Sequence, residues 1–139
     1  GFCYVEDASR AAGIKVIAAV AAPAEGSAPV ILAQLATVDS ERVLEHAVFD
    51  GLGTASIPGA LGMSNSSAAD PLAWGLLVRV WGRAEVPPGA VDTFTLSDGA
   101  HAPMTVRFYG LPLPPDGDFV TLTGAMGAGP TLHVSVSGP

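Results

Sequence analysis

The sequence predicts an all-β protein on three observations: its composition, its short runs of alternating apolar residues, and an internal repeat. Of the 139 residues, 49% are hydrophobic and 14% are charged, and the chain contains 17 Gly and 12 Pro. This hydrophobic share suffices for a packed core and argues against a disordered chain, which combines low hydrophobicity with high charge. The abundance of Val, Thr, Gly and Pro favours strands and turns over long helices.

The second half of the chain has five strand-like runs separated by turn residues. The first run, 76–86, is interrupted by Gly82, and a glycine inside a strand marks a bulge or a bend. The other four cover residues 92–96, 104–109, 119–123 and 131–136. Because side chains alternate between the two faces of a strand, seven apolar residues are expected to face a core: Val78, Val80, Phe94, Leu96, Met104, Val106 and Phe108.

The first half has four strand-like runs, at residues 2–5, 13–17, 30–35 and 42–48. A helix over 40–49 is the alternative to the last run, because Ser40 and Glu41 are suited to begin one. The internal repeat described next favours a strand.

The internal repeat relates the two halves of the chain. Residues 4–7 and 13–16 match 95–98 and 103–106, with one residue fewer in the second turn. Residues 30–32 and 42–44 match 120–122 and 130–132 in the same order. Repetition of strand order and spacing indicates two copies of one supersecondary unit.

The five-strand pattern with a long, glycine-bent first strand resembles an OB fold. Residues 75–83 look like the opening strand of OB-type domains in bacterial secreted multidomain proteins, and residues 2–16 look like their second and third strands. The resemblance implies two small five-stranded OB-like barrels in tandem. The first barrel, residues 1–49, lacks its opening strand, and the second, residues 74–139, is complete.

Residues 50–73 are expected to form a linker between the two barrels, because they are rich in Gly, Pro and Ser. Within this segment Asn65, Ser66 and Ser67 fit the acceptor pattern for N-glycosylation.

Charge and motif content argue against several classes of function. The net charge is −7 and Lys15 is the only lysine, whereas a protein that grips a nucleic-acid backbone needs several cations on one face. No apolar stretch is long enough to span a membrane. The three histidines, His46, His101 and His133, have no metal-ligand spacing, and His46 and His133 are expected to face outward. No motif points to a cofactor, a metal or a catalytic residue, so we expect a protein that is not an enzyme.

The function that these features favour is that of an extracellular structural or adhesive module. A barrel without its opening strand exposes unpaired backbone groups, so either the sequence is a fragment or a strand from a neighbouring chain fills the gap and builds an oligomer or filament. The assembly edge is expected at Phe2, Cys3, Tyr4 and Val5.

The alternative function is a module that binds carbohydrate or single-stranded nucleic acid on the outer face of the second barrel. Trp, Tyr and Arg side chains stack on sugars and bases and also anchor protein interfaces. Period-2 alternation places five candidates on that face: Arg79, Trp81, Thr95, Arg107 and Tyr109. Charge favours a glycan or protein over nucleic acid as the partner.

Overall fold

The computed structural model describes residues 1–135, except for the side chain of Leu52. The chain is mostly β, with ten strands and one short helix, α1, among the described residues. The first five strands are β1 Phe2–Glu6, β2 Gly13–Ile17, β3 Ser27–Val38, β4 Glu41–Thr54 and β5 Leu61–Gly62. Helix α1 covers Asn65–Ala69. The other five strands are β6 Leu77–Glu85, β7 Thr93–Ser97, β8 Met104–Tyr109, β9 Phe119–Gly127 and β10 Thr131–Ser135.

Strands β6 to β10 form a closed five-stranded barrel. The strand order is β6-β7-β8-β10-β9, and β9 pairs again with β6. All of these pairings are antiparallel except β8 with β10, which is parallel. This closed barrel is compatible with the OB-like barrel that the sequence predicts. The predicted strand end at residue 136 lies outside the described residues.

Strands β1 to β4 form a second sheet, which we call the open sheet. Its order is β1-β2-β4-β3, with β2 and β4 parallel and the other two pairs antiparallel. The same order and directions occur in the barrel strands β7-β8-β10-β9. Within residues 1–135 no strand joins β3 to β1, so this sheet does not close.

The predicted core residues of the barrel are buried, all seven of them, as alternation requires. Strand β6 pairs with two strands of the barrel. Its first part pairs with β9, and its last three residues pair with β7. Gly82 lies where this change occurs, and a Cβ built on it would stand 2.5 Å from the carbonyl oxygen of Ser97. The predicted bend at Gly82 is therefore a place where two backbones approach closely.

The first half differs in detail from the sequence prediction. Residues 41–54 form a strand, so the helix alternative over 40–49 is wrong. Strand β4 carries two bulges, because the pairing with β3 shifts twice and each shift adds one residue on the β4 side. His46 and Gly51 have positive φ angles at these shifts.

The segment 50–73, expected to be an irregular linker, contains ordered structure. It includes the end of β4, then β5, α1 and a 3₁₀ turn at Pro71–Ala73. Asn65 is buried, and its Nδ2 donates a hydrogen bond to the carbonyl oxygen of Leu96 at 3.0 Å. A buried and bonded Nδ2 is not presented for glycan attachment. The Asn65 side chain instead anchors α1 to the barrel.

The registers also correct one part of the sequence repeat. Leu35 and Met126 occupy the same place relative to their partner strands, since Leu35 lies opposite Leu44 and Met126 lies opposite Leu132. Ile31 lies four residues before Leu35, and Leu122 lies four residues before Met126, so Ile31 corresponds to Leu122. The sequence repeat instead aligns Ile31 with Thr121. The structural correspondence keeps the inward-facing residues together, because a one-residue slip sends every side chain to the other face.

We expect Gly82→Ala to destabilise the barrel by about 1–3 kcal/mol, because its Cβ overlaps the Ser97 backbone and the strands must move apart. Chemical denaturation measures the change. The matched control is Gly62→Ala in β5, where an added Cβ meets nothing within 4 Å. Equal stabilities for the two variants would contradict the close approach.

Candidate functional site

The open sheet has one apolar face that is only partly covered, which we call the inner face. Three of its apolar residues are buried: Val16, Ala18 and Ala47. The others in the same cluster are only partly buried: Cys3, Val5, Ile31, Ala33, Leu44 and Phe49. By contrast, thirteen buried residues, Ala68 of α1 among them, form one cluster in the barrel interior. The inner face is therefore an apolar core whose side chains are incompletely shielded from solvent.

The inner face lies between two free backbone edges, one on β1 and one on β3. Each of these strands has a single partner strand within the described residues, β2 for β1 and β4 for β3. A cavity of about 280 Å³ opens beside β1, lined by residues 1–3, Val16 and residues 18–22. Partial burial there raises the pKa of the Cys3 thiol. Free edges beside an apolar face are the features that accept an added strand.

The opposite face of the open sheet carries an exposed apolar patch, which we call the outer patch: Val30, Leu32 and Val48. Leu32 lies directly opposite Val48, and Val30 precedes Leu32 by two residues on the same face. Their exposed fractions are 66%, 75% and 58% respectively. Strand β3 is thus apolar on both faces, as is typical of a strand buried on both sides.

On β1 and β2 this outer face packs against the barrel near the start of β6. Glu6 Oε2 accepts a hydrogen bond from the amide of Leu77 at 3.0 Å, and Arg10 Nη2 donates to the carbonyl of Leu77 at 3.0 Å. Arg10 also pairs with Glu6 at 2.9 Å. Nearby, Gly13 and Gly75 bring their backbones so close that a Cβ on either would overlap the other. The open sheet is thereby held in one position on the barrel.

An aromatic cluster continues this contact. Phe2 packs edge-on against Tyr109 and against His133, with ring centroids 6.0 and 5.4 Å apart. The Tyr109 hydroxyl and His133 Nδ1 are 2.9 Å apart and share a hydrogen bond. Burial lowers the pKa of His133 to about 4, and the positive charges of Lys15 and Arg107 act in the same direction. His133 faces away from the barrel interior, as predicted, but strand β1 covers it.

Glu41 is a buried carboxylate at the edge of this cluster. It accepts hydrogen bonds from the Tyr4 hydroxyl and from Lys15 Nζ, both at 3.3 Å. Burial and the negative charge of Glu41 raise the pKa of Tyr4 far above its usual range. Lys15 Nζ also lies 4.7 Å from the centre of the Phe2 ring. The Glu41 carboxylate thus links Tyr4 of β1 and Lys15 of β2 to β4.

The five residues proposed for ligand recognition are spread over the barrel surface. Arg79 and Trp81 are exposed beside Thr123 and Thr121 of β9. Tyr109, in contrast, lies under Phe2.

Thr95 and Arg107 lie on the neighbouring strands β7 and β8. Arg107 pairs with Asp92 at 3.3 Å, and Thr95 donates to Glu85 at 3.2 Å. Arg107 also lies over the Tyr109 ring, 6.0 Å from its centre. Arg79 and Trp81 thus lie beside β9, whereas Thr95, Arg107 and Tyr109 lie on β7 and β8, and ligand binding by these residues stays a prediction.

The predicted assembly edge at Phe2, Cys3, Tyr4 and Val5 is the free edge of β1. Cys3 and Val5 contribute to the inner face, whereas the Phe2 and Tyr4 rings pack against His133 of the barrel. Sequence reasoning missed the second edge, on β3. The signal for it was the unbroken apolar run of residues 30–33, which fits a strand needing cover on both faces.

Comparisons and motifs add no further site. Among the described residues, no group of three or more His, Cys, Asp or Glu side chains is placed to hold a metal ion. Likewise no helix there has the length and apolar character to cross a membrane. Scans against protein-family models, curated proteins and solved structures found no match to the chain.

We expect His133 to make stability depend on pH. Its pKa is lower in the folded chain, about 4, than its ordinary value of 6.5, so between these values the unfolded chain binds the proton that the folded chain excludes. The free energy of unfolding should therefore rise from about pH 4 to about pH 6.5 and stay level above it. Chemical denaturation across this range measures the slope.

Two variants test the assignment of this slope to His133. His133→Asn should remove the His133 contribution, so that the difference from the parent chain varies with pH only inside that window. His46→Asn is the control, because His46 is exposed and Asn tolerates its positive φ. A difference in free energy between the parent chain and His133→Asn that stays constant with pH across this window would contradict the assignment.

Proposed function

We propose that this chain is a non-catalytic extracellular module that self-assembles when the open sheet accepts a strand from a neighbouring chain. In this proposal the two halves are tandem OB-like repeats, and the accepted strand takes the place that β6 holds in the barrel. The observation that carries the proposal is the agreement between the open sheet and four of the five barrel strands, in order, direction and register.

The register agreement can be followed across three neighbouring strands. In each sheet three apolar residues from adjacent strands lie opposite one another: Val16, Leu44 and Leu35 in the open sheet, and Val106, Leu132 and Met126 in the barrel. The first hairpin agrees as well, since Tyr4 lies opposite Lys15 as Thr95 lies opposite Thr105. What differs is the absence of a β6 counterpart among the described residues.

The energetic reason for accepting a strand has two parts. An added strand pairs the free backbone edges of β1 and β3, and main-chain hydrogen bonds contribute affinity in this mode of recognition. The strand also covers the partly buried inner face, at about 25 cal/mol for each Å² of apolar surface removed from water. A neighbouring chain that satisfies both edges at once gains more than one that stacks on the apolar face alone.

The contact that results joins two different surfaces of neighbouring chains. The accepting edges lie on the open sheet, and a strand donated from any other part of the chain makes a contact between unlike surfaces. Contacts of this kind form rings when the rotation closes and filaments when it does not. The acidic, lysine-poor composition accords with the extracellular setting that we propose.

We expect the chain to form oligomers whose size grows with concentration, measured by sedimentation velocity and by size exclusion with light scattering. Leu32→Lys places a charge on the free β3 edge and should weaken assembly by at least about tenfold, or about 1.4 kcal/mol. Circular dichroism should show an unchanged fold, because the Leu32 side chain is exposed.

The matched control is Val91→Lys, which introduces the same charge at a side chain 86% exposed in the loop before β7. This variant should assemble as the parent does. A compact monomer of the parent chain at every concentration would refute self-assembly, and an equal loss in both variants would show that only net charge matters.

A further inference from the structure

We infer that the strand accepted between β1 and β3 has a defined pattern: small apolar residues in the order Val, Val, Gly, Ala at alternate inward positions, and a bulky apolar residue facing outward beside the outer patch. The inference rests on the proposed function and specifies the partner. The barrel supplies the template, because it shows the same four strands with their fifth strand in place.

The inward positions follow from the register of β6. In the barrel, Val78, Val80 and Gly82 lie opposite Gly124, Leu122 and Val120 of β9, in that order. The corresponding β3 residues, reached through the match of Leu35 with Met126, are Ala33, Ile31 and Pro29. On the other side, Ala84 lies opposite Leu96 of β7, which corresponds to Val5 of β1.

The sizes of these residues limit what the strand carries inward. Ala33 is larger than Gly124, and Val5 is smaller than Leu96, so the inner face offers a space similar in total to that in the barrel. Side chains much larger than Val would overfill it, since a well-packed core tolerates added methylene groups poorly.

The glycine position has a separate cause. In the barrel, a Cβ at Gly82 would overlap the backbone of Ser97, where β6 changes from pairing with β9 to pairing with β7. Ser97 corresponds to Glu6, the last residue of β1. A strand that pairs with β3 and then crosses to β1 meets the same close approach, so a glycine is expected there.

The outward positions distinguish the open sheet from the barrel. Beside β6, strand β9 carries Thr121 and Thr123 on its outer side, opposite Trp81 and Arg79. The corresponding β3 residues are Val30 and Leu32, which form most of the outer patch. An accepted strand with an outward aromatic at the Trp81 position covers this patch, whereas the barrel needs no such cover.

The sequence of β6 satisfies both faces of this pattern, so a synthetic peptide of residues 77–85 is the probe. We expect the labelled peptide to bind the full chain, measured by fluorescence anisotropy. In the peptide, Val80→Asp should weaken binding by at least about tenfold, because it buries a carboxylate without a partner. Trp81→Ser should weaken binding to the parent chain, and less so to the Leu32→Lys chain.

Cys3, the one cysteine of the chain, reports the register. In the barrel, Glu85 lies opposite Thr95, which corresponds to Tyr4 of β1. Extending this antiparallel pairing by one residue places position 86 of the accepted strand opposite Cys3. A peptide of residues 77–86 with Val86→Cys should form a disulfide with Cys3, with oxidised glutathione as the oxidant. The same peptide with Val78→Cys in place of Val86→Cys is the control, and it should not form one because position 78 lies opposite Ala33.

The outcomes separate this inference from the proposed function. If the chain assembles and Leu32→Lys blocks assembly, but the peptide neither binds nor crosslinks, the pattern is wrong and strand acceptance stands. If the peptide binds in register while the chain stays monomeric, the pattern stands and self-assembly is wrong. Equal crosslinking by both cysteine peptides would overturn the register, and absence of both binding and assembly would overturn both proposals.

Discussion

Backbone hydrogen bonding at strand edges is the constraint on which the rest of this structure depends. Each strand presents donors and acceptors on both sides, and water or another strand must satisfy them. In the second half, β6 pairs with both β7 and β9, so the sheet closes and its apolar residues share one buried interior. In the first half no strand occupies this position within residues 1–135, and most residues of the inner face remain only partly buried.

The contact between the open sheet and the barrel determines which surfaces remain free. Glu6 and Arg10 bind both polar groups of the Leu77 backbone, and the approach of Gly13 to Gly75 leaves no room for side chains. Because this contact uses the outer side of β1 and β2, it leaves the inner face and the far part of β3 uncovered. The outer patch lies beyond the reach of the barrel for the same reason.

Alternation along single strands made much of the barrel predictable. The inward positions and the bend at Gly82 follow from patterns within a few residues. The choice of strand over helix for residues 40–49 came instead from the internal repeat, and β4 confirms it. The repeat alignment was less accurate, because permissive residues such as Val and Thr recur at neighbouring positions and leave a one-residue slip undetected. Only hydrogen-bond partners across strands show that Ile31 corresponds to Leu122.

The sequence by itself determined the all-β class, the positions of most strands and the inward set of the barrel, because side-chain alternation is a local property of the strand. The tertiary structure alone decided that Phe2 and Tyr4 meet His133, and that Tyr109 is covered rather than free. It also decided that Val30 and Leu32 lie exposed at a free edge. These facts depend on which sheet closes and how two sheets pack together, and such contacts join residues that are far apart in the chain.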